Sequence, residues 1–287
     1  MKPHKLTWHI HDIEYSPSGD VIMMYILIDQ WSLDAEHIYS RSDESIISAN
    51  IQPFKAGQFM LLSTYIKILE PKILEKQNLN ANFSDPDKTR KISIDDKQVK
   101  RSYSIATTPS YYLATGLIWF SIKRVEWWIF STRATQIAKK WDQLHLTGPL
   151  GHMVDTGVNK NYLFICAGSW LSPIYALYND LITEKKLHMK AAFLYGERHI
   201  SHILPSVEAQ LHQNTDPHVH IQKFLSQDTH EWYQQGRLQI WLDTALTHIW
   251  TKDMSCFICG KPEMVSDVVE ILLAKGIEKE NIKFEKY

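Results

Sequence analysis

Arg101-Ser102-Tyr103-Ser104-Ile105-Ala106-Thr107 gathers a fixed cation, an aromatic plane and two small hydroxyls on a stretch of strand character. Side chains alternate along an extended chain, so Arg101 and Tyr103 share one face while Ser102 and Ser104 share the other. A flavin nucleotide asks for this set: a cation for its phosphate, an aromatic face for its ring, a small donor near its ring nitrogens. Further along, Phe130-Ser131 opens a helical stretch, whose free N–H groups and positive end suit a phosphate, although a plain helix cap would look the same. Gly168-Ser169-Trp170-Leu171-Ser172-Pro173 follows an apolar strand, where a Gly turn lets backbone N–H groups reach a pyrophosphate.

Those residues need elements to carry them. Val21-Ile22-Met23-Met24-Tyr25-Ile26-Leu27-Ile28 reads as a buried strand, and residues 53–62 enter another after a Gly turn. Strands resume at 101–107 and 117–124, a helix at 130–138 carries a Ser cap, and Gly148-Pro149-Leu150-Gly151 is a turn. Many short strands with one helix predict a small antiparallel barrel. Residues 66–98 are rich in charge and read as a solvated excursion between two strands, with a short helix at 71–77. After residue 156 the rhythm changes. Apolar strands at 162–167, 191–196, 219–225 and 256–260 alternate with helices, including one at 263–275, which predicts a parallel sheet wrapped by helices.

Bulk properties exclude several classes. The chain has 287 residues, room for two ordinary domains, and its 44% hydrophobic and 22% charged content is globular. A formal net charge of -1 gives no reason to expect nucleic acid as a partner. The polar N-terminal residues predict no ordinary signal peptide, and no apolar stretch is long enough to span a bilayer. Cys166, Cys256 and Cys259 cannot supply four ligands to an iron–sulfur cluster, and no metal site is expected. Cys256 and Cys259 form a Cys-x-x-Cys, but residues three apart on a strand do not share a face. Free thiols without an export signal fit a reducing cytoplasm.

Taken in order, the motifs resemble the ferredoxin–NADP reductase family. They are Gly57-Gln58-Phe59, Arg101-x-Tyr103-Ser104, Ile122-Lys123-Arg124-Val125-Glu126, Phe130-Ser131, Gly148-Pro149-Leu150-Gly151, Ala167-Gly168 through Pro173, Tyr195-Gly196-Glu197-Arg198, Cys259-Gly260-Lys261-Pro262-Glu263-Met264 and Glu285-Lys286-Tyr287. They cover nearly the whole chain outside the 66–98 insert. The resemblance implies an N-terminal antiparallel FAD-binding β-barrel, residues 1–155, followed by a doubly wound parallel-sheet nucleotide-binding domain, residues 156–287. It implies FAD and NADH or NADPH as cofactors, with hydride passing from the nicotinamide to the flavin and electrons passing on to a ferredoxin- or flavodoxin-type protein. It places Ser104, Cys259, Glu285 and Tyr287 around the reacting atoms. Cofactor contacts fall on Arg101, Tyr103, Ser104, Ile122, Lys123, Trp128 and Ser131 in the first half. In the second half they fall on Gly168, Ser169, Trp170, Pro173, Gly196, Arg198, Ser226, Gln227, Cys259, Gly260 and Met264. The competing reading is a non-catalytic electron-transfer subunit, or a scaffold whose pockets have degraded.

The chain departs from that pattern in its tryptophans. It has 10 Trp and only 11 Gly, where the usual Gly share of roughly 7% would give about 20. Trp127, Trp128, Trp141 and Trp170 stand where the family has Gly, and Gly serves there by accepting positive φ and leaving no side chain against a ligand. In one reading these Trp residues are real and the pockets are remodelled. In the other, UGA codons that the source reads as Gly have been written as Trp, and the two counts favour this second reading. A second departure is Gln227, uncharged where NADPH users commonly carry Arg. It leans toward NADH, while Arg198 and Arg237 leave NADPH open.

Overall fold

The computed structural model describes residues 8–28, 54–68, 95–126, 128–157, 161–184, 190–247 and 253–286. The first half holds β1 (Trp8–Tyr15), β2 (Val21–Ile28), β3 (Phe59–Ile68), β4 (Asp95–Ser104), β5 (Leu117–Lys123) and β6 (Gln143–Leu150), with helices α1 (Pro109–Thr115) and α2 (Ile129–Gln136). The strands form a 6-stranded sheet in the order β4-β3-β6-β1-β2-β5, with every pairing antiparallel. A bridge between Ile105 and Phe120 joins the two ends and closes the sheet into a barrel.

The apolar run of β2 is explained by burial on both faces. Ile22, Met24 and Ile26 fill the barrel with Ile10, Leu62, Ile118, Phe120 and Ile122. Val21 and Met23 face outward into a second cluster shared with the other half of the chain. Each such side chain contributes about 1.5–3 kcal/mol when fully buried. Helix α1 departs from the expectation of a single helix in this half. Its signals are present: Thr108 caps it by accepting from Tyr111 N, Pro109 stands at the first position, and Gly116 ends it in the left-handed conformation. The ends of the 66–98 excursion belong to the hairpin instead, with Ile66 opposite Lys97 and Ile68 opposite Asp95. The short helix expected at 71–77 falls outside the described residues.

The second half holds β7 (Asn161–Ala167), α3 (Leu171–Tyr178), β8 (Ala191–Glu197), α4 (Pro205–His212), β9 (Val219–Leu225), β10 (Gln234–Gln235), α5 (Leu242–Leu246), β11 (Met254–Gly260), α6 (Pro262–Ala274) and β12 (Ile282–Lys286). Its sheet runs in the order β10-β9-β8-β7-β11-β12, all parallel. Successive strands step away from β7 on one side and return on the other, so the switch point lies between β7 and β11. Clusters on both faces bury the sheet. Cys256 and Cys259 fall into different clusters, as strand alternation requires. Among the described residues, no helix is long and apolar enough to cross a membrane.

The halves share more than a covalent link. Val21, Met23, Ala56, Ala106 and Met153 pack in one cluster with Leu171, Ile174, Tyr175 and Leu177. Along one edge, Glu14 in β1 accepts from Ser206 N at 2.7 Å, from Ser206 Oγ at 2.6 Å and from Tyr25 OH at 3.1 Å. Glu14 thus supplies α4 with an acceptor for its first turn, which no side chain at its own N-cap provides. Ser18 N donates to Ser201 O at 2.8 Å. Asp20 lies 3.8 Å from His202 Nε2, and Lys123 Nζ lies 3.4 Å from Glu197 Oε1.

Backbone geometry separates the tryptophans. Trp141 takes φ 73, and every other residue at positive φ among the described residues is Gly. Its N–H donates to Ile10 O at 2.8 Å, which fixes the turn, while the indole is 72% exposed and gains little from packing. Trp128 and Trp170 take φ -88 and -75, which any residue adopts. The left-handed conformation costs a bulky residue about 1–2 kcal/mol. Trp141→Gly is therefore expected to raise unfolding stability by about 1 kcal/mol, read as a higher urea midpoint at unchanged slope. A lower midpoint would mean that the indole, not the backbone, governs this turn.

Candidate functional site

Arg101, Tyr103 and Ser104 lie on β4 as the alternation predicts. Arg101 is exposed, Tyr103 is half-buried and Ser104 is buried. Tyr103 packs against Phe130 of α2, ring centroids 5.4 Å apart, and burial holds its phenol well above the ordinary range. The Arg101 guanidinium lies 5.5 Å from the centroid of the Trp128 ring, so the indole covers the cation expected to meet a phosphate.

Ser131 does not cap its helix. Trp128 is the N-cap of α2, without a side-chain hydrogen bond, and Ser131 lies in the first turn. Its hydroxyl accepts from Val125 N at 3.1 Å and donates to Trp128 O at 3.1 Å. The hydroxyl therefore clamps the loop that leads into α2. What remains for an anion is the set of first-turn N–H groups, which lack intrahelical partners. Ile122 is fully buried in the barrel core, so only its backbone is placed to reach a ligand. Trp127 falls outside the described residues.

The residues placed around the reacting atoms are joined by a continuous path. Ser104 stands opposite Phe59 in the β3–β4 register. Gly151 is so close to both halves that an added Cβ would lie 2.9 Å from Phe59 Cδ1 and 3.6 Å from Glu285 Oε1. Glu285 in turn stands opposite Cys259 across β11 and β12. Gln58 braces this junction by donating from Nε2 to Gly151 O at 3.2 Å. Lys283 adds a donor to Val154 O at 2.6 Å, and burial lowers its pKa. The Cys259 thiol is fully buried; burial first, then the Glu285 charge, pushes it well above the ordinary thiol range, so it stays protonated. Tyr287 falls outside the described residues.

Gly168 opens a 3-10 turn at the C-terminal end of β7 with φ 61. Ser169 and Trp170 complete the turn, and Pro173 is buried in the first turn of α3. Ser172 Oγ accepts from Ser121 N at 3.3 Å, tying this turn to the barrel. Gly260 ends β11, and Met264 from α6 folds over it, its Cε 2.1 Å from where a Cβ would stand. That flexible tip is the group that would yield to a planar ring approaching Gly260.

Arg198, Ser226 and Gln227 form one exposed ledge. Ser226 N donates to Glu197 O, and Gln227 N to Arg198 O, each at 3.0 Å. Gly196 sits at the base of this ledge, close under Leu238. Asp228 closes the ledge by accepting from His199 and from Ile200 N, and these bonds hold its carboxyl below the ordinary range. The residue that sequence reasoning missed is Glu197. It ends β8 with its side chain only 2% exposed, and its Oε2 has no hydrogen-bond partner. A buried carboxylate just after the Gly of Tyr195-Gly196-Glu197 was the signal for it. Among the described residues, no cluster of His, Cys, Asp and Glu could hold a metal ion.

Comparison with known proteins agrees with the fold. Residues 164–270 match the family described as the oxidoreductase NAD-binding domain. One component of the Na(+)-translocating NADH-quinone reductase of Haemophilus influenzae is 23% identical over 255 residues, covering 82% of this chain and 60% of the relative. The chain thus spans about three fifths of that relative's length. The toluate 1,2-dioxygenase electron transfer component of Pseudomonas putida is 21% identical, and the match covers 81% of this chain and 68% of that protein. Among solved structures, a ferredoxin NADP+ reductase from Neisseria gonorrhoeae with bound FAD and NADP superposes with a TM-score of 0.68 at 16% identity, over 98% of each chain. The cytochrome b5 reductase domain of Ulva prolifera nitrate reductase superposes with a TM-score of 0.66 at 18% identity, over 99% of this chain and 98% of the other.

Proposed function

Because this chain has the fold of the ferredoxin–NADP reductase-like FAD/NAD-binding oxidoreductases, with an oxidoreductase NAD-binding domain in its second half, we propose that it is an NAD(P)H-dependent flavoprotein reductase acting as an electron-transfer component. The observation that carries this reading is the path from Ser104 through Phe59 and Gly151 to Glu285 and Cys259, which brings both halves to one junction. FAD fits the barrel side of it. Tyr103 offers a ring face, Arg101 a fork of N–H groups for phosphate, and α2 its first-turn donors. The nucleotide fits the other side. Gly168 leaves its backbone open to a pyrophosphate, Lys123 brings a cation, and the ledge of Arg198, Ser226 and Gln227 takes the adenosine end. A bound flavin supplies a two-electron acceptor for hydride that can release its electrons one at a time.

The protein's own groups position and exclude. Ser104 offers a hydroxyl beside the flavin ring. Burial first, with Glu285 second, holds the Cys259 thiol protonated, so that sulfur presents a soft, uncharged surface to the nicotinamide. The shared core around Met153 and Leu177 keeps water from the seam. Electron delivery to a ferredoxin- or flavodoxin-type protein is the downstream step of this reading. A second reading, a scaffold or non-catalytic component that no longer turns over, is favoured by one observation: the Trp128 indole on Arg101.

One spectrum separates the readings. Purified protein is expected to show a flavin absorption band that bleaches on adding NADH or NADPH under nitrogen. A band that does not bleach marks a non-catalytic component. Protein that stays colourless after incubation with FAD sinks the proposal.

A further inference from the structure

We infer that Glu197 selects the nucleotide, taking the hydroxyl groups of the adenosine ribose on Oε2 and rejecting a 2′-phosphate there. The inference rests on the reductase reading above and adds the identity of the preferred donor, NADH.

Glu197 is built as half of a recognition site. Oε1 is committed: it accepts from Arg198 N at 2.8 Å and lies 3.4 Å from both Lys123 Nζ and His202 Nδ1. Oε2 is buried and receives no donor. A carboxylate oxygen only accepts, and a buried one without a donor is costly to keep. A ligand that supplies an O–H relieves it; a ligand that supplies phosphate oxygens brings like charge to a buried carboxylate.

Position fixes which ligand group this is. Oε2 lies 3.3 Å from where a Cβ on Gly168 would stand, so it borders the turn assigned to the pyrophosphate. The backbone carbonyl of the same residue carries Ser226, and its neighbour is Arg198, so it also borders the adenosine ledge. A dinucleotide lying across the C-terminal ends of β7, β8 and β9 passes from one to the other through its adenosine ribose. Lys123 Nζ lies 3.4 Å from Glu197 Oε1 and 3.4 Å from His202 Nδ1, so a cation from the barrel side stands at this end of the nucleotide site. On this ledge Gln227 is exposed and uncharged, which leaves Arg198 as its cation for a 2′-phosphate to meet against the Glu197 carboxylate.

The test uses the full chain loaded with FAD, in stopped flow, with NADH and NADPH as the two probes. The unmodified protein is expected to bind NADH at least tenfold more tightly, the discrimination of roughly one charged hydrogen bond. Glu197→Gln, which keeps the size and removes the charge, is expected to weaken NADH about tenfold and to leave or improve NADPH. A ratio that does not move in Glu197→Gln, or a fall of both nucleotides together, overturns the inference. So does an unmodified protein that prefers NADPH, a result that needs no variant to fold. A flavin that neither nucleotide bleaches removes the reductase reading and this inference with it, whereas bleaching at an unchanged ratio removes this inference alone.

Discussion

Trp128→Gly is expected to tighten FAD about tenfold, and Arg101→Ala to weaken it about 100-fold, when the flavin-free protein is titrated and quenching of flavin fluorescence is followed. The guanidinium now lies 5.5 Å from the indole centroid, and Trp128 is 52% exposed. A cation over an exposed ring gains about 0.5–1 kcal/mol, which a phosphate must overcome to recruit that cation. Trp128 is also the N-cap residue of α2, next to the first-turn N–H groups that suit the same phosphate. Gly leaves φ -88 unstrained and clears both, so the gain adds the released cation to the opened approach. The Arg101 loss follows from charged hydrogen bonds, about 1.5–3 kcal/mol each, made in pairs by a guanidinium fork. Weaker FAD binding in Trp128→Gly would show the indole to be a ligand contact, and equal binding in Arg101→Ala would move the pyrophosphate elsewhere.

Gly57→Ala is expected to destabilise the chain by at least 3 kcal/mol, seen as a collapse of the urea midpoint or as insoluble expression. Gly57 has φ 92, and a Cβ there would stand 1.9 Å from the backbone oxygen of Met153 and 3.1 Å from Leu177 Cδ1. Two terms add. The positive φ strains any L residue, and the nearest obstacle is main chain, which cannot rotate away as a side-chain tip can. Met153 sits in the segment between the two sheets and Leu177 in α3, so relief would require shifting the shared core. Ala56→Gly, at a neighbouring buried position of the same turn, is the control for a general loss of order. A Gly57→Ala loss below about 1 kcal/mol would show that the segment carrying Met153 yields freely.

Much of the architecture is legible in the sequence because it rests on burial. The runs around Leu163, Phe193 and Ile258 are apolar without alternation, and only a strand covered on both faces needs that. Tyr103 and Arg101 share a face because strand geometry leaves no choice. Sequence reasoning errs where local chemistry has two uses. Ser131 has the look of a cap, yet its hydroxyl turns back to Val125, and the chain enters α2 at Trp128. Helix α1 is short enough to pass for a loop, although Thr108, Pro109 and Gly116 mark both its ends. Long-range pairs have no sequence signal at all: Glu14 and Ser206 lie 192 residues apart. Glu197 stands out only in three dimensions, because its orphaned oxygen is visible once the neighbours are in place. For the tryptophans, composition raises the question, and the dihedral angle at Trp141 sides with glycine at that position.

The bond between Glu14 and the start of α4 has a practical side for anyone recombining such proteins. The β1–β2 hairpin and α4 behave as lock and key cut from one blank, although they lie in different halves of the sequence. A chimaera that joins this barrel to a foreign nucleotide half would leave Glu14 facing a helix start that was never shaped for it. Swaps that carry the hairpin and α4 across together keep the match, whatever junction is chosen between Leu150 and Asn161.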